Sequence, residues 1–332
     1  MKIIADELVQ NPMVSVVIPS YNRADTVSQT IESIVNQQCD FEIELIIGDD
    51  CSTDNARDVL LAYQAKYPSI IKLLFHDENI GLGANWASCI KQCRGKYISN
   101  CDNDDYWHNP LKLQLQVAFM EQNPQYGFSQ TDYRRHNRKT GRITEHKLTT
   151  YKCENPETID AYRETIQRLT HEGCNATVMY RKSVLFTYVN FDDYLKYRFR
   201  IQEWNTWLLI APFTEIGCLR VSTATFGMET RSITRPPKNA KAFEERWKGY
   251  KECHKYVSEK LPTYYSFNEK EYDDNLNGIC LNFAFEILDY RNAKKYALRS
   301  KDSFKVRCAK NRLLFYAYAI AGKLKKKFFY KD

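Results

Sequence analysis

The sequence predicts an α/β fold: a mostly parallel sheet flanked by helices, with a helical appendage at the C-terminus. Short runs of β-branched and aliphatic residues alternate with segments of helical spacing through about the first 110 residues. Polar or acidic residues directly follow several of these runs, and the chain beyond Pro236-Pro237 is rich in Lys, Glu and Tyr. Such alternation is typical of βαβ units, in which ligands bind at the carboxyl ends of parallel strands.

The first βα unit is predicted near the N-terminus. A buried strand is expected over Val14–Ile18, because the run is almost wholly apolar and stops at Pro19. A helix is expected over residues 25–37, with Asp25 or Thr26 as its N-cap. Four apolar residues recur there at helical spacing: Val27, Ile31, Ile34 and Val35.

Three further strands follow in the same rhythm. Glu44–Gly48 predicts a second buried strand, and Ser52–Asp54 then opens a helix. A third strand is predicted over Ile71–Phe75 and leads to a polar loop at Asn79. Tyr97-Ile98 belongs to a fourth strand, which runs into an acidic cluster. Beyond these strands the chain changes to shorter strand-like pieces separated by helices: Tyr126–Ser129 and Ala176–Tyr180.

Composition excludes several classes of protein. With 332 residues and 43% hydrophobic content, the chain can bury a large core. Its net charge of +7 is modest and partly a property of the tail, so no nucleic-acid partner is expected. The lysines of that tail are Lys323, Lys325, Lys326, Lys327 and Lys331. Eleven cysteines without CxxC spacing, and no apolar N-terminal segment, predict reduced thiols and a cytoplasmic location.

The acidic cluster Asp102–Asp105 is a candidate metal site. Its three carboxylates repel one another, so a cation, a helix N-terminus or the hydroxyls of a ligand must compensate them. An EF-hand loop is the competing interpretation of a cation site. It fails because Tyr106 and Trp107 stand where that loop needs an oxygen ligand and a glycine.

Four segments, met in order along the chain, resemble motifs of the family 2 glycosyltransferases, which have the Rossmann-like GT-A fold. They are Val16–Arg23, Ile46–Asp54, Asn79–Gly83 and Arg94–Asp105. The resemblance implies an inverting transferase that uses a nucleotide-diphosphate sugar and Mn²⁺ or Mg²⁺. With the domain boundary placed at Pro236-Pro237, we expect a GT-A domain over residues 1–235, with a donor half at about 12–125 and an acceptor half at about 126–235. Residues 236–332 would form the helical region.

The resemblance assigns roles to the donor-site residues. It makes Asp104 the metal ligand and Asp102 the partner of the ribose hydroxyls, while Asp105 would either shape the sugar pocket or orient its neighbour. Asp50, with Asp49 alongside, would accept a hydrogen bond from the N–H of the base. The remaining donor-site residues lie in the loops that follow the strands: Pro19, Tyr21, Asn22, Arg23 and Asn79.

Inversion requires a general base that takes the proton of the acceptor hydroxyl. In the family an acidic pair before an aromatic residue and a helix carries this base. Glu203 stands at the matching place, with Gln202 replacing the preceding acid, and Asp192 and Asp193 are the reserve candidates.

The family often has a histidine after the base helix. Here the segment Phe226–Arg231 has none, so either Glu229 is a ligand or Arg231 supplies charge to the diphosphate.

The expected function is that of a metal-dependent hexosyltransferase in cell-surface polysaccharide synthesis. The donor would be a nucleotide-diphosphate sugar, with uridine as the expected base, and the acceptor a saccharide or a lipid-linked glycan. Two alternatives stay open. A non-catalytic sugar-nucleotide-binding module is favoured by Gln202 and the missing histidine. A sugar-phosphate nucleotidyltransferase would need a Gly-rich loop with Lys or Arg after the first strand, where this chain has Pro19–Asn22.

The C-terminal sequence predicts an apolar helix that is followed by a lysine-rich tail. Leu313–Ala321 is too short to span a bilayer and is followed by the lysines of the tail. Either the helix packs on its domain and the tail frays, or it makes peripheral contact with the anionic inner membrane.

Overall fold

A computed structural model describes residues 1–5, 8–146, 174–228, 239–300 and 304–329. The chain forms two compact units, Met1–Glu229 and Thr230–Asp332. The predicted boundary between residues 235 and 236 lies outside the described residues.

Ten strands of the described residues form one sheet in the first unit. In chain order they are β1 Lys2–Ile4, β2 Val14–Ser20, β3 Ile43–Asp49, β4 Ile71–Phe75, β5 Tyr97–Asn100, β6 Tyr106–Trp107, β7 Tyr126–Asn137, β8 Arg142–His146, β9 Met179–Arg181 and β10 Glu215–Met228. Their order across the sheet is β1-β4-β3-β2-β5-β9-β7-β10-β6, and β8 pairs with β7.

The centre of this sheet is parallel. β2 pairs with β3 and β5, and β3 pairs with β4, all in parallel. β7 and β10 also pair in parallel, whereas β1, β6, β8 and β9 are antiparallel to their neighbours. Every residue of β2 and β3 is buried, as expected for strands covered on both faces. The α/β prediction is thereby confirmed.

The helices of this unit connect the strands. They are α1 Val27–Val35, α2 Ala56–Lys66, α3 Leu82–Ile90, α4 Lys112–Gln122, α5 Lys182–Tyr188, α6 Phe191–Tyr197 and α7 Gln202–Ile210. α1 buries the predicted Val27, Ile31 and Ile34. Thr26 is its N-cap residue, but its hydroxyl makes no capping hydrogen bond and donates instead to the Asn103 carbonyl at 2.8 Å. The side chain expected to cap the helix therefore fixes the acidic loop.

Some of the predicted elements differ in length or type from those in the structure. The strand expected over Tyr126–Ser129 is the start of the 12-residue β7. Ala176 lies in a 3₁₀ turn, Asn175–Thr177, that precedes β9. The helix expected after the candidate base is α7, which is buried almost all round, with Glu203 as its one residue that is not buried.

The second unit is helical, as predicted. Its helices are α8 Ala240–Lys260, α9 Glu269–Glu286, α10 Tyr290–Ala297, α11 Phe304–Lys310 and α12 Arg312–Phe329. They enclose a separate apolar core that includes Phe285, Tyr296 and Phe315. Within the described residues, no helix has the length and apolar character needed to cross a membrane.

Candidate functional site

The acidic loop Asp102–Asp105 lies at the carboxyl end of β5, beside the end of β2. The Asn103 amide donates to the Ser20 hydroxyl at 3.1 Å, which joins the loop to β2. The Thr30 hydroxyl of α1 donates to the Asp105 carbonyl at 2.6 Å. Together with the Thr26 bond, these contacts fix the loop backbone against two elements that come earlier in the sequence.

Two arginines lie at Asp104, the predicted metal ligand. The Arg23 guanidinium is 3.3 Å from its carboxylate, and both side chains are largely buried. Arg138, from the turn after β7, donates to the Asp104 carbonyl at 2.7 Å. The structure thus brings together two residues that the sequence places in the donor site, Arg23 and Asp104, and adds Arg138.

Asp102 and Asp105 are held by different partners. Asp102 accepts a hydrogen bond from the Asn175 amide at 3.1 Å. Burial, followed by the charges of Glu203 and Asp104, raises the pKa of Asp102 to about 7. Asp105 accepts from the Gly227 N–H at 2.8 Å, and its other oxygen is buried without a hydrogen-bond partner among the described residues.

Burial also raises the pKa of Asp105 well above its usual range, and the charges of Asp104 and Asp102 raise it further. Burial and mutual repulsion therefore disfavour the ionised carboxylates of Asp102 and Asp105 in the protein alone. A cation or the hydroxyls of a ligand would stabilise the ionised forms.

Asp50 organises the loop that follows β4 and contains Asn79. Its two carboxylate oxygens accept hydrogen bonds from the Ile80 N–H at 2.7 Å and the Gly81 N–H at 2.9 Å. The Asn79 amide donates to the Asp50 carbonyl at 3.2 Å. Burial raises the pKa of Asp50, while the two N–H donors oppose that change. Asp50 and Asn79 are thus brought together at the carboxyl end of β3.

The other predicted donor residues are mainly in structural contacts. Asp49 is fully buried and pairs with the Arg57 guanidinium at 2.6 Å, so it lies in an internal ion pair. Asn22 has a left-handed backbone with φ of 50°, and its side-chain oxygen accepts from the Thr53 N–H at 2.7 Å. Pro19 is a buried residue of β2, whereas Tyr21, just after that strand, is exposed.

Glu203 lies about 100 residues beyond this loop in the sequence, yet its charge acts on Asp102. It lies half-buried in the first turn of α7, and its negative charge contributes to the raised pKa of Asp102. α7 is anchored to β9, because the Trp207 indole N–H donates to the Tyr180 hydroxyl at 2.8 Å. By contrast, the reserve candidate Asp192 is exposed and pairs with Lys91 at 2.6 Å.

Trp107 packs in the core of the first unit. Its ring is buried, and its indole N–H donates to the Ala176 carbonyl at 2.8 Å. The ammonium of the fully buried Lys112 lies 4.4 Å from the ring centroid. Trp107 therefore belongs to the core next to the acidic loop in sequence, and its buried ring offers no open surface for stacking on a sugar.

Sequence reasoning missed Arg138 and Gly227. Gly227 lies so close to the loop that a Cβ there would be 2.1 Å from the Asp104 carbonyl oxygen. Arg138 belongs to no motif, and Gly227 lies in the segment Phe226–Arg231, where only the missing histidine, Glu229 and Arg231 were considered. Strand pairing brings both to the loop: Gly227 of β10 lies opposite His136 of β7. Glu229 and Arg231, considered in place of the missing histidine, lie outside the described residues.

The residues at the loop fit a cation shared with a substrate better than one enclosed by the protein. The described parts of the chain hold no group of three His, Cys, Asp or Glu side chains arranged as metal ligands. Mg²⁺ commonly takes one or two carboxylates and completes its shell with phosphate oxygens and water. The largely buried Asp104, which keeps some exposure to solvent, and the buried oxygen of Asp105, which has no partner among the described residues, suit that arrangement.

A family model and several known proteins match this chain. The model for glycosyl transferase family 2 matches residues 15–188, more than half of the chain. The putative teichuronic acid biosynthesis glycosyltransferase TuaG of Bacillus subtilis is 38% identical over 109 residues, which are 33% of this chain and 42% of TuaG. The matched segments cover only 15% to 42% of the lengths of the curated relatives.

Two solved structures share the architecture over most of both chains. S. aureus TarS 1–349 in complex with UDP-GlcNAc superposes with a TM-score of 0.54 at 17% identity, covering 94% of this chain and 80% of that one. The mannosyltransferase PcManGT of Pyrobaculum calidifontis, in complex with GDP-Man and Mn²⁺, gives a TM-score of 0.50 at 14% identity. That match covers 98% of this chain and 90% of PcManGT. At these identities the likeness concerns the fold alone.

Proposed function

The chain belongs to glycosyl transferase family 2 and has the GT-A fold, and from this premise we propose that it is an inverting, metal-dependent glycosyltransferase of cell-surface polysaccharide synthesis. The proposed donor is a nucleotide-diphosphate sugar with uridine as its base, and the proposed acceptor a saccharide or lipid-linked glycan. The names of TuaG and of the poly(ribitol-phosphate) beta-glucosyltransferase of Bacillus spizizenii support the class of product. TarS, with bound UDP-GlcNAc, supports the class of donor.

The donor half of the proposal rests on the residues around the acidic loop. Asp50 and Asn79 would hold the base, Asp102 the ribose hydroxyls, and Asp104 a divalent cation. Mn²⁺ or Mg²⁺ would neutralise charge that develops on the leaving diphosphate. Arg23, already beside Asp104, is positioned to add positive charge on the phosphate side.

The acceptor half rests on the placement of α7, the helix that carries Glu203. Its Trp207 donates to Tyr180 of β9, and β9 pairs with β5, whose carboxyl end carries the acidic loop. Glu203 would take the proton of the acceptor hydroxyl, whose oxygen would attack the anomeric carbon opposite the nucleotide. The buried surroundings of α7 and the Trp207 anchor would keep the carboxylate in place. A base at this position distinguishes a transferase from a module that only binds sugar nucleotides.

The test measures nucleotide release from UDP-sugars and GDP-sugars with Mn²⁺ and candidate acceptors. We expect Glu203→Gln to lower transfer by about 10² to 10⁴, with donor affinity by calorimetry nearly unchanged. Asp192→Asn is the matched control, since that carboxylate is exposed and paired with Lys91, and it should keep wild-type transfer. Glu203→Gln that retains most transfer would remove Glu203 from this role. Donor binding without release, whatever the acceptor, would favour the binding module.

A further inference from the structure

The end of the second unit concentrates positive charge. Residues 298–329 contain ten basic residues and one acidic residue, a net charge of +9, which exceeds the +7 of the whole chain. The ten are Arg299, Lys301, Lys305, Arg307, Lys310, Arg312, Lys323, Lys325, Lys326 and Lys327. The rest of the chain is therefore slightly acidic, and its basic character is a local property of this segment.

The helix α12 is apolar on two opposite sides. One side is part of the core of the second unit, where Phe315 and Ala319 are buried. On the other side Leu313 is 83% exposed, Leu314 51% and Ile320 49%. The outer face of a helix in a globular unit is normally polar, so large exposed aliphatic side chains require an explanation.

The preceding helix α11 extends this surface. Phe304 is 62% exposed, and its ring centroid lies 5.8 Å from that of Tyr318 of α12. The Lys305 ammonium lies 5.9 Å from the same Tyr318 ring. An exposed aromatic ring and a basic side chain thus border the exposed aliphatic side chains of α12.

Exposed cations accompany these side chains. Arg307, Lys310 and Arg312 are all exposed, and none of them forms an ion pair with another described residue. The negative charge that complements these three cations must therefore come from a binding partner. Anionic phospholipid head groups provide negative charge next to a hydrocarbon layer, which complements both kinds of exposed side chain at once.

We propose that the C-terminal apolar face, defined as Phe304, Leu313, Leu314 and Ile320, binds an anionic phospholipid surface, with Arg307, Lys310 and Arg312 contacting the head groups. α12 has 18 residues and a length of about 27 Å. Because it lacks the apolar character of a membrane span, it lies in the plane of the interface. This proposal goes beyond the proposed function, since it concerns a binding surface formed within the second unit.

The test uses the full chain and two kinds of vesicle: phosphatidylcholine alone, and phosphatidylcholine with phosphatidylglycerol. The wild type should co-sediment with the second kind and weakly with the first. Leu313→Glu/Leu314→Glu should weaken binding more than tenfold, and Arg307→Gln/Lys310→Gln/Arg312→Gln about a hundredfold. The matched control is Leu61→Glu/Leu111→Glu, which changes two exposed leucines of the first unit and should bind like the wild type.

Circular dichroism of each variant checks that helix content is kept, which is expected because all the substituted side chains are exposed. Wild-type binding to neither vesicle would overturn the proposal, and so would equal binding by the wild type and the leucine variant. Analytical ultracentrifugation adds a further outcome. If the wild type is a dimer that Leu313→Glu/Leu314→Glu dissociates, without any vesicle binding, the face belongs to a second copy of the chain and the lipid proposal is wrong.

Discussion

The contact between Gly227 and the acidic loop leads to a prediction about a single methyl group. Gly227→Ala would put a Cβ 2.1 Å from the Asp104 carbonyl oxygen, which is backbone and cannot swing away. We expect the loop or the end of β10 to move, lowering the free energy of unfolding by about 1 to 3 kcal/mol. Donor affinity should fall at the same time, and calorimetric titration with a UDP-sugar measures it.

Gly278 in α9 supplies the matched control. A Cβ at that position meets no atom within 4 Å. Because alanine favours a helix over glycine, Gly278→Ala should raise the free energy of unfolding by up to about 1 kcal/mol and leave donor affinity unchanged. Equal effects of the two substitutions would contradict a specific role for the close approach at Gly227.

Lys112 gives stability a distinctive pH dependence. It is fully buried near the Cys101 and Cys174 thiols, and burial lowers its pKa to about 7. In the unfolded chain its pKa is about 10.4, so between these values the unfolded state binds more protons. Stability from this group therefore rises as pH increases from 7 to 10, by at most about 1.4 kcal/mol per pH unit.

The measurement compares urea unfolding of the wild type and Lys112→Met at several pH values from 7 to 10. The variant removes the titrating amine and keeps a side chain of similar length, so the difference between the two proteins isolates Lys112. We expect the wild-type free energy of unfolding to rise relative to that of the variant across this range. Parallel curves would mean that Lys112 stays charged in the folded protein.

At the scale of elements, Glu44 connects three parts of the sheet. This fully buried residue of β3 accepts from the Ser15 hydroxyl of β2 at 2.6 Å. It also accepts from the Arg94 backbone N–H at 2.6 Å and from the Arg94 guanidinium at 2.7 Å. A single carboxylate thus joins β3 and β2 to the turn before β5.

Glu44→Ala should lower the free energy of unfolding by about 3 kcal/mol, because it leaves several donors without their acceptor. Glu78→Ala is the matched control. Glu78 pairs with Arg198 at 3.1 Å, and both side chains are well exposed to water. The control should cost less than about 1 kcal/mol in the same denaturation experiment. A cost for Glu44→Ala as small as that of the control would contradict the connecting role.

The elements differ in how far they could be predicted. β2, β3 and β4 are short apolar runs buried on both faces, and such runs are evident from local sequence. β10 was not predicted, since it mixes polar and apolar residues and is stabilised by pairing with β7, some 90 residues earlier. Strand pairing between distant segments has no local signature, so Arg138 could not be connected with the acidic loop, and nothing singled out Gly227 within the segment Phe226–Arg231.

The candidate site likewise combines features that the sequence predicted with features that it did not. Motif resemblance placed Asp50, Asp104 and Arg23 near one another, and the structure brings Arg23 to Asp104. The resemblance did not predict the internal ion pair between Asp49 and Arg57, because a motif specifies residue types and not their partners. The family and the α/β fold are confirmed, whereas the roles of the site residues remain proposals.

At the scale of the whole molecule, the two units have separate cores, which predicts separable effects of core mutations. Phe315 is fully buried in the second unit, so Phe315→Ala should destabilise that unit by about 3 to 5 kcal/mol. All described donor-site residues belong to the first unit, so donor affinity at low temperature should stay close to wild type. Calorimetric unfolding and donor titration of the same sample check both parts. A large loss of donor affinity would show that the units depend on each other.

The hydrogen bond from Gly227 to Asp105 also has a consequence for the timing of biosynthesis. Its two partners are 122 residues apart in the chain. At a synthesis rate of 5 to 20 residues per second, about 6 to 24 s pass between the addition of Asp105 and the addition of Gly227. During that time a nascent chain on the ribosome already contains every donor motif, but β10 does not yet exist to complete the acidic loop. A folding intermediate in that interval would hold the buried carboxyl of Asp105 without its backbone donor.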